Sequence, residues 1–268
     1  MPVNNDVSRA QLIALATTCL AAASFSPMAL ADDPPPADGQ WRGTGGAALS
    51  ASSGNTRSQA LQLKLDMARL TEADKISLGG SANYARSRVE GVDSTTANQL
   101  SAFGQYDYNL GPRLLAFGRL DVNRDEITDL DLRTAVGAGL GWKLIDRAET
   151  RFTVFGGVSH TVDRYDGLQV IDGRSDDRFS RTSVLLAEES AHALSPTVSF
   201  KQRLSVSPGV TGDKGTLAEF TADLAVALNS SLSLSVGVVN SYDSQAPDGR
   251  KRNDLSLFTG LNVKFGAL

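Results

Sequence analysis

Thiols and imidazoles are nearly absent from this sequence of 268 residues, which contains one cysteine and two histidines. Cys19 lies in the apolar N-terminal segment, so the rest of the chain has no thiol for a disulfide or a metal. A zinc site built on His160 or His192 would need carboxylates as further ligands. Ser159-His160-Thr161 also lacks an Asn or Asp partner that would complete a hydrolase site. We therefore expect no metal, no cofactor and no catalytic residue, and hence no enzyme.

Long apolar runs and an excess of positive charge are missing as well. Beyond the N-terminal segment, no stretch approaches the roughly 18 consecutive apolar residues of a transmembrane helix. The formal net charge of −4 indicates no basic face for nucleic acid. We expect neither a helical membrane span in the body of the chain nor a nucleic-acid partner.

The N-terminal segment is typical of an export signal. Residues 1–31 combine a basic residue, a short apolar run and the small residues Ala29-Leu30-Ala31, a pattern that precedes signal cleavage. The alternatives are a membrane-anchoring helix, for which the run is short, and a lipoprotein acceptor at Cys19. Residues 32–40 form a polar, Pro-rich linker. The sequence predicts an exported protein with one domain at 41–268.

Alternating apolar and polar residues dominate this domain. The stretch LQLKLDM at 61–67 alternates without a fault, which in an extended strand makes one apolar face and one polar face. The same period of two recurs in about twelve segments. We predict strands at 41–52, 58–70, 75–87, 95–108, 113–124, 132–143, 150–162, 182–194, 197–206, 216–228, 231–242 and 254–265.

The links between these strands alternate in length. Every second link is brief, whereas those between them are mostly longer, the longest being residues 163–181. Short links at one end and longer loops at the other are typical of outer-membrane barrels. We predict an all-β fold, a transmembrane antiparallel up-and-down β-barrel of about 12 strands with both ends in the periplasm. A soluble periplasmic β-sandwich is the alternative, to be separated by fractionation without detergent.

Charged residues on the polar faces favour a hydrated barrel interior over the dry core of a sandwich. Lys201 and Arg203 are predicted to face Glu219 and Asp223 across a hairpin, close enough for cross-strand pairs. Such pairs would either line a pore or plug a narrow barrel, and a barrel of this size permits both. The candidate lumen-lining residues are Lys64, Asp66, Asp107, Arg119, Asp121, Lys201, Arg203, Glu219, Asp223 and Lys264.

Aromatic residues fall near the predicted strand ends, where the girdles of a membrane barrel lie. Those at the short-link end are Trp41, Tyr106, Tyr108, Trp142, Phe152 and Phe265, and those at the other end are Tyr84 and Tyr242.

Glu188 and Glu189 do not fit this alternation, because adjacent residues of a strand point to opposite faces. A carboxylate directed at lipid is costly. We expect a bulge that turns both side chains inward, a protonated side chain, or a different register.

Two segments carry a family resemblance. Trp41-Arg42-Gly43, followed by Ser53-Gly54-Asn55-Thr56, resembles the opening strand and turn of an uncharacterised bacterial family known as salt-induced outer membrane proteins. The stretch from Arg133 to Gly137-Ala138-Gly139-Leu140-Gly141-Trp142 is similar to a later strand of that family, with Trp142 in place of the usual Tyr. The resemblance implies an outer-membrane barrel of unknown function with a suggested link to salt or osmotic stress, and it implies no catalytic residues.

Three partners are expected from this layout. The final strand, Gly260-Leu261-Asn262-Val263-Lys264-Phe265, is similar in part to the C-terminal signal by which the barrel assembly machinery receives its clients. Outer-membrane lipid would cover the apolar face. Lipopolysaccharide phosphates could bind to charged residues of the long fourth outer loop, although such a run also suits a solvated loop; the candidates are Asp172, Arg174, Asp176, Asp177 and Arg178.

These expectations define two functions for an outer-membrane protein. The first is a narrow passive channel or a structural envelope protein. The alternative is a non-conducting barrel that recognises a ligand or partner through its long outer loops.

Overall fold

The computed structural model describes residues 36–52, 56–89, 92–247 and 251–266. The predicted signal at 1–31, the first residues of the predicted linker and the turn predicted at 53–55 lie outside the described residues. No helix in the described ranges is long and apolar enough to cross a membrane.

Twelve strands, the number predicted, make up almost all of the described chain. They are β1 Asp38–Ser52, β2 Thr56–Thr71, β3 Asp74–Val89, β4 Val92–Asn109, β5 Leu114–Asp125, β6 Leu130–Asp146, β7 Thr150–Ile171, β8 Arg174–Ala193, β9 Val198–Gly212, β10 Thr216–Ala227, β11 Leu232–Asp243 and β12 Asn253–Gly266. A 3-10 turn at Glu126–Thr128 stands between β5 and β6.

The strands form a closed antiparallel barrel in which each strand pairs with its neighbours in the chain. The last strand returns to the first, with Arg42 opposite Gly266 and Ala47 opposite Leu261. In a closed sheet every strand has a neighbour on both sides, as a membrane-spanning sheet requires. The predicted up-and-down topology is therefore confirmed, and both ends of the described chain lie at the same end of the barrel, which we call the terminal end.

The alternation of LQLKLDM separates the outside of the barrel from its interior. Leu63 and Leu65 are each 45% exposed on the outer surface. The Lys64 ammonium lies 5.9 Å from the ring centroid of Phe258 on β12, a strand that does not pair with β2. A contact of this kind passes through the interior, so the polar residues of β2 point inward and the leucines outward.

The strands are longer than predicted at the far end of the barrel, which is the end opposite the termini. They contain 12 to 22 residues, whereas about nine to eleven suffice to cross a membrane. The predicted fourth outer loop at 163–181 is wrong, because β7 and β8 continue as a hairpin that turns at Asp172 and Gly173. Both turn residues have positive φ, 50° and 77°, as a two-residue hairpin turn requires.

The other predicted long links shorten because the strands extend further, and the described bounds of β11 and β12 leave a long link at residues 244–252. The brief links at the terminal end are close to the prediction.

The aromatic residues predicted for the two girdles lie on the outer surface. Trp41, Tyr106, Tyr108, Trp142 and Phe265 are exposed at the terminal end, and Tyr84 and Tyr242 are exposed towards the far end. Phe152 is half-buried beside them. The outer surface is therefore an apolar band with aromatic rings at both edges, which is the surface that a bilayer covers.

Candidate functional site

The ladders place all ten predicted lumen-lining residues on the inner face of the barrel. Cross-strand partners show this directly, because Asp107 lies opposite Phe117, Asp223 opposite Lys201, and Lys264 opposite Thr44. The ten residues are distributed over six strands: Lys64 and Asp66 on β2, Asp107 on β4, Arg119 and Asp121 on β5, Lys201 and Arg203 on β9, Glu219 and Asp223 on β10, and Lys264 on β12.

One side of the lumen is packed with apolar side chains, which the sequence did not predict. Leu115, Phe117, Phe155 and Leu185 form a buried cluster inside the barrel. The rings of Phe117 and Phe155 meet edge to face with centroids 5.3 Å apart. Gly141 is required beside them, since a Cβ there would lie 2.7 Å from Leu115 Cδ1. The β5–β8 side of the lumen is therefore filled.

The opposite side of the lumen is open to solvent. Lys64 keeps 47% of its side chain exposed, and Lys201 and Glu219 are exposed as well, although all three point into the barrel. The Lys201 ammonium interacts electrostatically with Asp66 of β2, which lies across the lumen from β9. Charged side chains that remain exposed inside a closed barrel line a water-accessible space.

Ion pairs within the lumen differ in part from those predicted. Lys201 lies opposite Asp223, as expected, but Arg203 lies opposite Thr221 and Glu219 opposite Ser205. Arg203 makes its ion pair with Glu189 of β8 instead. The predicted pairing of Arg203 with β10 is therefore wrong, because β8 supplies a carboxylate directly opposite Arg203.

A second lumen pair stands beside the apolar cluster. The Arg119 guanidinium lies 2.7 Å from the Asp121 carboxylate and 4.3 Å from the centroid of the Phe103 ring. It also donates to the Gln105 side chain at 3.1 Å.

Four charged residues bridge the lumen at the far end, and we call them the mouth cluster: Arg133, Asp163, Arg181 and Asp243. Arg133 Nη2 lies 2.7 Å from Asp243 Oδ2, and Arg133 Nε lies 2.6 Å from Asp163 Oδ1. Arg181 Nη2 approaches the same two carboxylates at 3.0 and 3.4 Å. Arg133 is on β6 and Asp243 on β11, five strands apart around the twelve-stranded barrel. Their ion pair therefore crosses the lumen and narrows the far mouth.

The β7–β8 hairpin beyond the barrel packs next to this cluster. Leu130, Tyr165, Ile171 and Phe179 form a second buried apolar cluster. Irregular pairing between Arg164 and Gln169, with Gly167 at φ +100°, bends the hairpin out of the regular ladder. Burial of these apolar side chains holds the bent hairpin against the mouth.

Most of the predicted outer-loop residues contact their own chain. Asp172 accepts a hydrogen bond from the Gln245 amide at 2.7 Å, and Arg174 pairs with Asp176 and with Asp213. The hydrogen bond from Arg174 holds the pKa of the Asp176 carboxyl below its usual range. Asp177 and Arg178 are exposed. Arg174 and Asp176 thus tie the hairpin together.

Glu188 and Glu189 lie in a regular ladder, so the bulge, one of the three expected alternatives, is wrong. Glu189 points inward to Arg203, and Glu188 points outward between Val154 and Leu204. Gln202 donates to Glu188 Oε1 at 3.2 Å, while Glu188 Oε2 is buried without a hydrogen-bond partner. The outer surface therefore tolerates a carboxyl group that a neighbouring amide satisfies in part.

Both histidines also lie on the outer face. His160 Nδ1 is 3.0 Å from the Thr182 hydroxyl, and the His192 ring stacks on Phe200. Within the described ranges, no group of three His, Cys, Asp or Glu side chains is arranged to hold a metal ion.

Solved structures similar to this chain include three outer-membrane proteins of low sequence identity. The outer membrane channel COG4313 from Pseudomonas putida F1 is 11% identical, covers 91% of this chain and all of its own, and superposes with a TM-score of 0.47. The NanC porin is 10% identical, covers 84% of this chain and 97% of its own, and has a TM-score of 0.43. The KdgM porin is 10% identical, covers 84% of this chain and 98% of its own, and has a TM-score of 0.36.

Comparison with known sequences shows the family of the chain. The uncharacterized protein YdiY of Escherichia coli K12 is 26% identical over 244 residues, which are 88% of this chain and 90% of that protein. A family model matches residues 45–265, nearly the whole barrel. The resemblance to an uncharacterised family is thereby confirmed, and the chain belongs to the family described as "Protein of unknown function, DUF481".

Proposed function

We propose that the protein is an integral barrel of the bacterial outer membrane that acts, without enzymatic activity, as a narrow passive channel for small hydrophilic solutes. In this proposal the terminal end faces the periplasm and the far mouth faces the cell exterior. The suggestion of a role in salt or osmotic stress rests on the family resemblance alone.

The observation that carries this proposal is the exposure of Lys64, Lys201 and Glu219 inside the barrel. A barrel whose interior were filled by protein would bury these charges at a high cost in solvation free energy. Water along the β9–β2 side removes that cost. The apolar cluster on the β5–β8 side restricts the water-filled part to a fraction of the lumen, which makes the channel narrow.

The non-conducting, surface-binding alternative has less support. It relied on long outer loops, but the fourth of these is a hairpin whose Asp172 and Arg174 bind their own chain.

Ion selectivity in planar bilayers tests the channel. We expect small steps for the refolded protein, and replacing Lys201 by glutamate should raise the cation-to-anion permeability ratio roughly twofold or more, because a positive charge on the lumen wall becomes negative. Arg113→Glu is the matched control, since Arg113 is an exposed residue of the β4–β5 link at the terminal end. Absence of steps from both the native protein and the Asp243→Ala variant, which removes the bridge across the mouth, would refute the channel.

A further inference from the structure

Three arginines form a row on the outer surface of the barrel near its far end: Arg124 on β5, Arg164 on β7 and Arg178 on β8. All three are exposed. Strand alternation directs them outward, because the adjacent residues Asn123, Asp163 and Phe179 point to the inside. Leu132 of β6 lies between them and is the direct partner of Arg164. The row therefore runs across four neighbouring strands.

Arg164 and Arg178 lie directly opposite each other in the β7–β8 ladder. Like charges at such positions repel and destabilise a sheet. Of the acids close to them in the chain, Asp131, Asp166 and Asp177, none comes within ion-pair distance of any of the three arginine side chains in the described part of the chain. Among the described residues, the three arginines thus form no ion pair that would offset this repulsion, and an external anion would relieve it.

The position of the row defines the kind of anion. Arg124 is opposite Leu100, which is 59% exposed. Closer to mid-membrane the outer face carries His160 and Thr182 and then apolar residues, among them Leu120, Val158 and Val184. The arginines therefore stand where the apolar band of the outer surface ends. In a bilayer this is the level at which acyl chains give way to headgroups.

We propose that Arg124, Arg164 and Arg178 bind the phosphate groups of the phosphorylated glycolipid in the outer leaflet. Arginine suits this role because its planar guanidinium donates paired hydrogen bonds to phosphate. The inference rests on the proposed orientation in the outer membrane. It keeps Arg178 from the residues expected from the sequence and leaves out Arg174, which is engaged with carboxylates of its own chain.

Retention of lipid A by the refolded full barrel in detergent tests this site, with native mass spectrometry as the readout. Diphosphoryl lipid A should bind, and the Arg164→Gln/Arg178→Gln double variant should lose roughly tenfold or more in affinity, because two charge-assisted contacts to phosphate are removed. Arg113→Gln, which removes an exposed arginine at the opposite end of the barrel, should bind as the native protein does. Resistance to unfolding in detergent at room temperature, seen as a fast-migrating band on a gel, shows that each variant is folded.

Three outcomes would overturn the proposal. Equal affinity in the double variant and the native protein would exclude these arginines. Equal binding of dephosphorylated lipid A would exclude phosphate as the recognised group, and displacement of lipid A by millimolar inorganic phosphate would indicate a site for the free ion. A protein that conducts but does not retain lipid A refutes the site alone, whereas one that retains lipid A without conducting refutes the channel alone.

Discussion

Replacing Leu63 by arginine is expected to prevent most of the protein from assembling in a bilayer, whereas replacing its neighbour Lys64 by glutamine leaves assembly unchanged. Leu63 is on the outer surface and 45% exposed, and its ladder partners Ala47 and Ala82 are also apolar. A cation on the lipid face near mid-membrane costs roughly 2–4 kcal/mol. Such a cost is a large fraction of the stability of a typical domain, about 5–15 kcal/mol.

Refolding into phospholipid vesicles measures this difference, because a folded barrel migrates faster than the unfolded chain on an unheated gel. The native protein and Lys64→Gln should give equal folded fractions, since the Lys64 side chain faces water in the lumen and its pair with Asp66, at 3.2 Å, is half-exposed. Efficient folding of Leu63→Arg together with failure of Lys64→Gln would show that the two faces have been interchanged.

Replacing Asp243 by alanine should open the far mouth. This substitution removes both ion pairs that cross the lumen, those to Arg133 and Arg181, while each arginine keeps its contact with Asp163. The two cations then lie on β6 and β8 without an ion pair to β11, while the hydrogen bond from Gln245 to Asp172 remains. The ionic link between the two sides of the mouth is lost. We expect the single-channel conductance to rise roughly twofold or more, because the far mouth is no longer crossed by ion pairs.

Asp163→Ala is a matched control within the same cluster. It removes the same charge, but it leaves Arg133 and Arg181 paired with Asp243 across the lumen. Its conductance should stay close to that of the native protein, although the loss of a buried partner should lower stability by about 3–5 kcal/mol. An increase in conductance that is larger for Asp163→Ala than for Asp243→Ala would contradict the role of the cross-lumen bridge.

The number of strands, the closed barrel and the face to which each side chain points were predictable, because they follow from patterns within each segment and its links. Alternation over each segment assigns every residue to a face, and LQLKLDM illustrates this: its leucines face outward and Lys64 inward. The alternation was even more reliable than our interpretation of it. It places Glu188 outward, as the structure does. The expectation of a bulge overestimated the cost of an outward carboxyl group, because the Gln202 amide donates a hydrogen bond to it.

The β7–β8 hairpin was missed because its sequence is polar and charged, which resembles a loop. One local signal was available, since Asp172-Gly173 is a typical two-residue hairpin turn. Beyond the membrane, a ladder needs no apolar face towards lipid, so polarity there does not distinguish a strand from a loop.

The mouth cluster could not be predicted from one sequence. Arg133 and Asp243 are separated by 110 positions in the chain. Their contact depends on the stagger of twelve strands around the barrel, and a shift of two residues in any ladder would remove it while leaving every facing unchanged. The partner of Arg203 also depends on the stagger of the strands, because β8 and β10, the two neighbours of β9, both carry carboxylates. The register places Glu189 of β8 opposite Arg203.

Adjacent residues of one strand should face water inside the barrel and lipid outside it. Thiol labelling at Thr221 and Ala222 tests it most directly, because β10 directs the first inward beside Arg203 and the second outward beside Gln202. The sequence has no cysteine beyond Cys19, so a chain lacking residues 1–31 carries only the introduced thiol. In vesicles, a charged methanethiosulfonate should label Thr221→Cys rapidly and Ala222→Cys slowly or not at all. Equal labelling of the two positions, or faster labelling of Ala222→Cys, would contradict a water-filled lumen within a lipid-covered barrel.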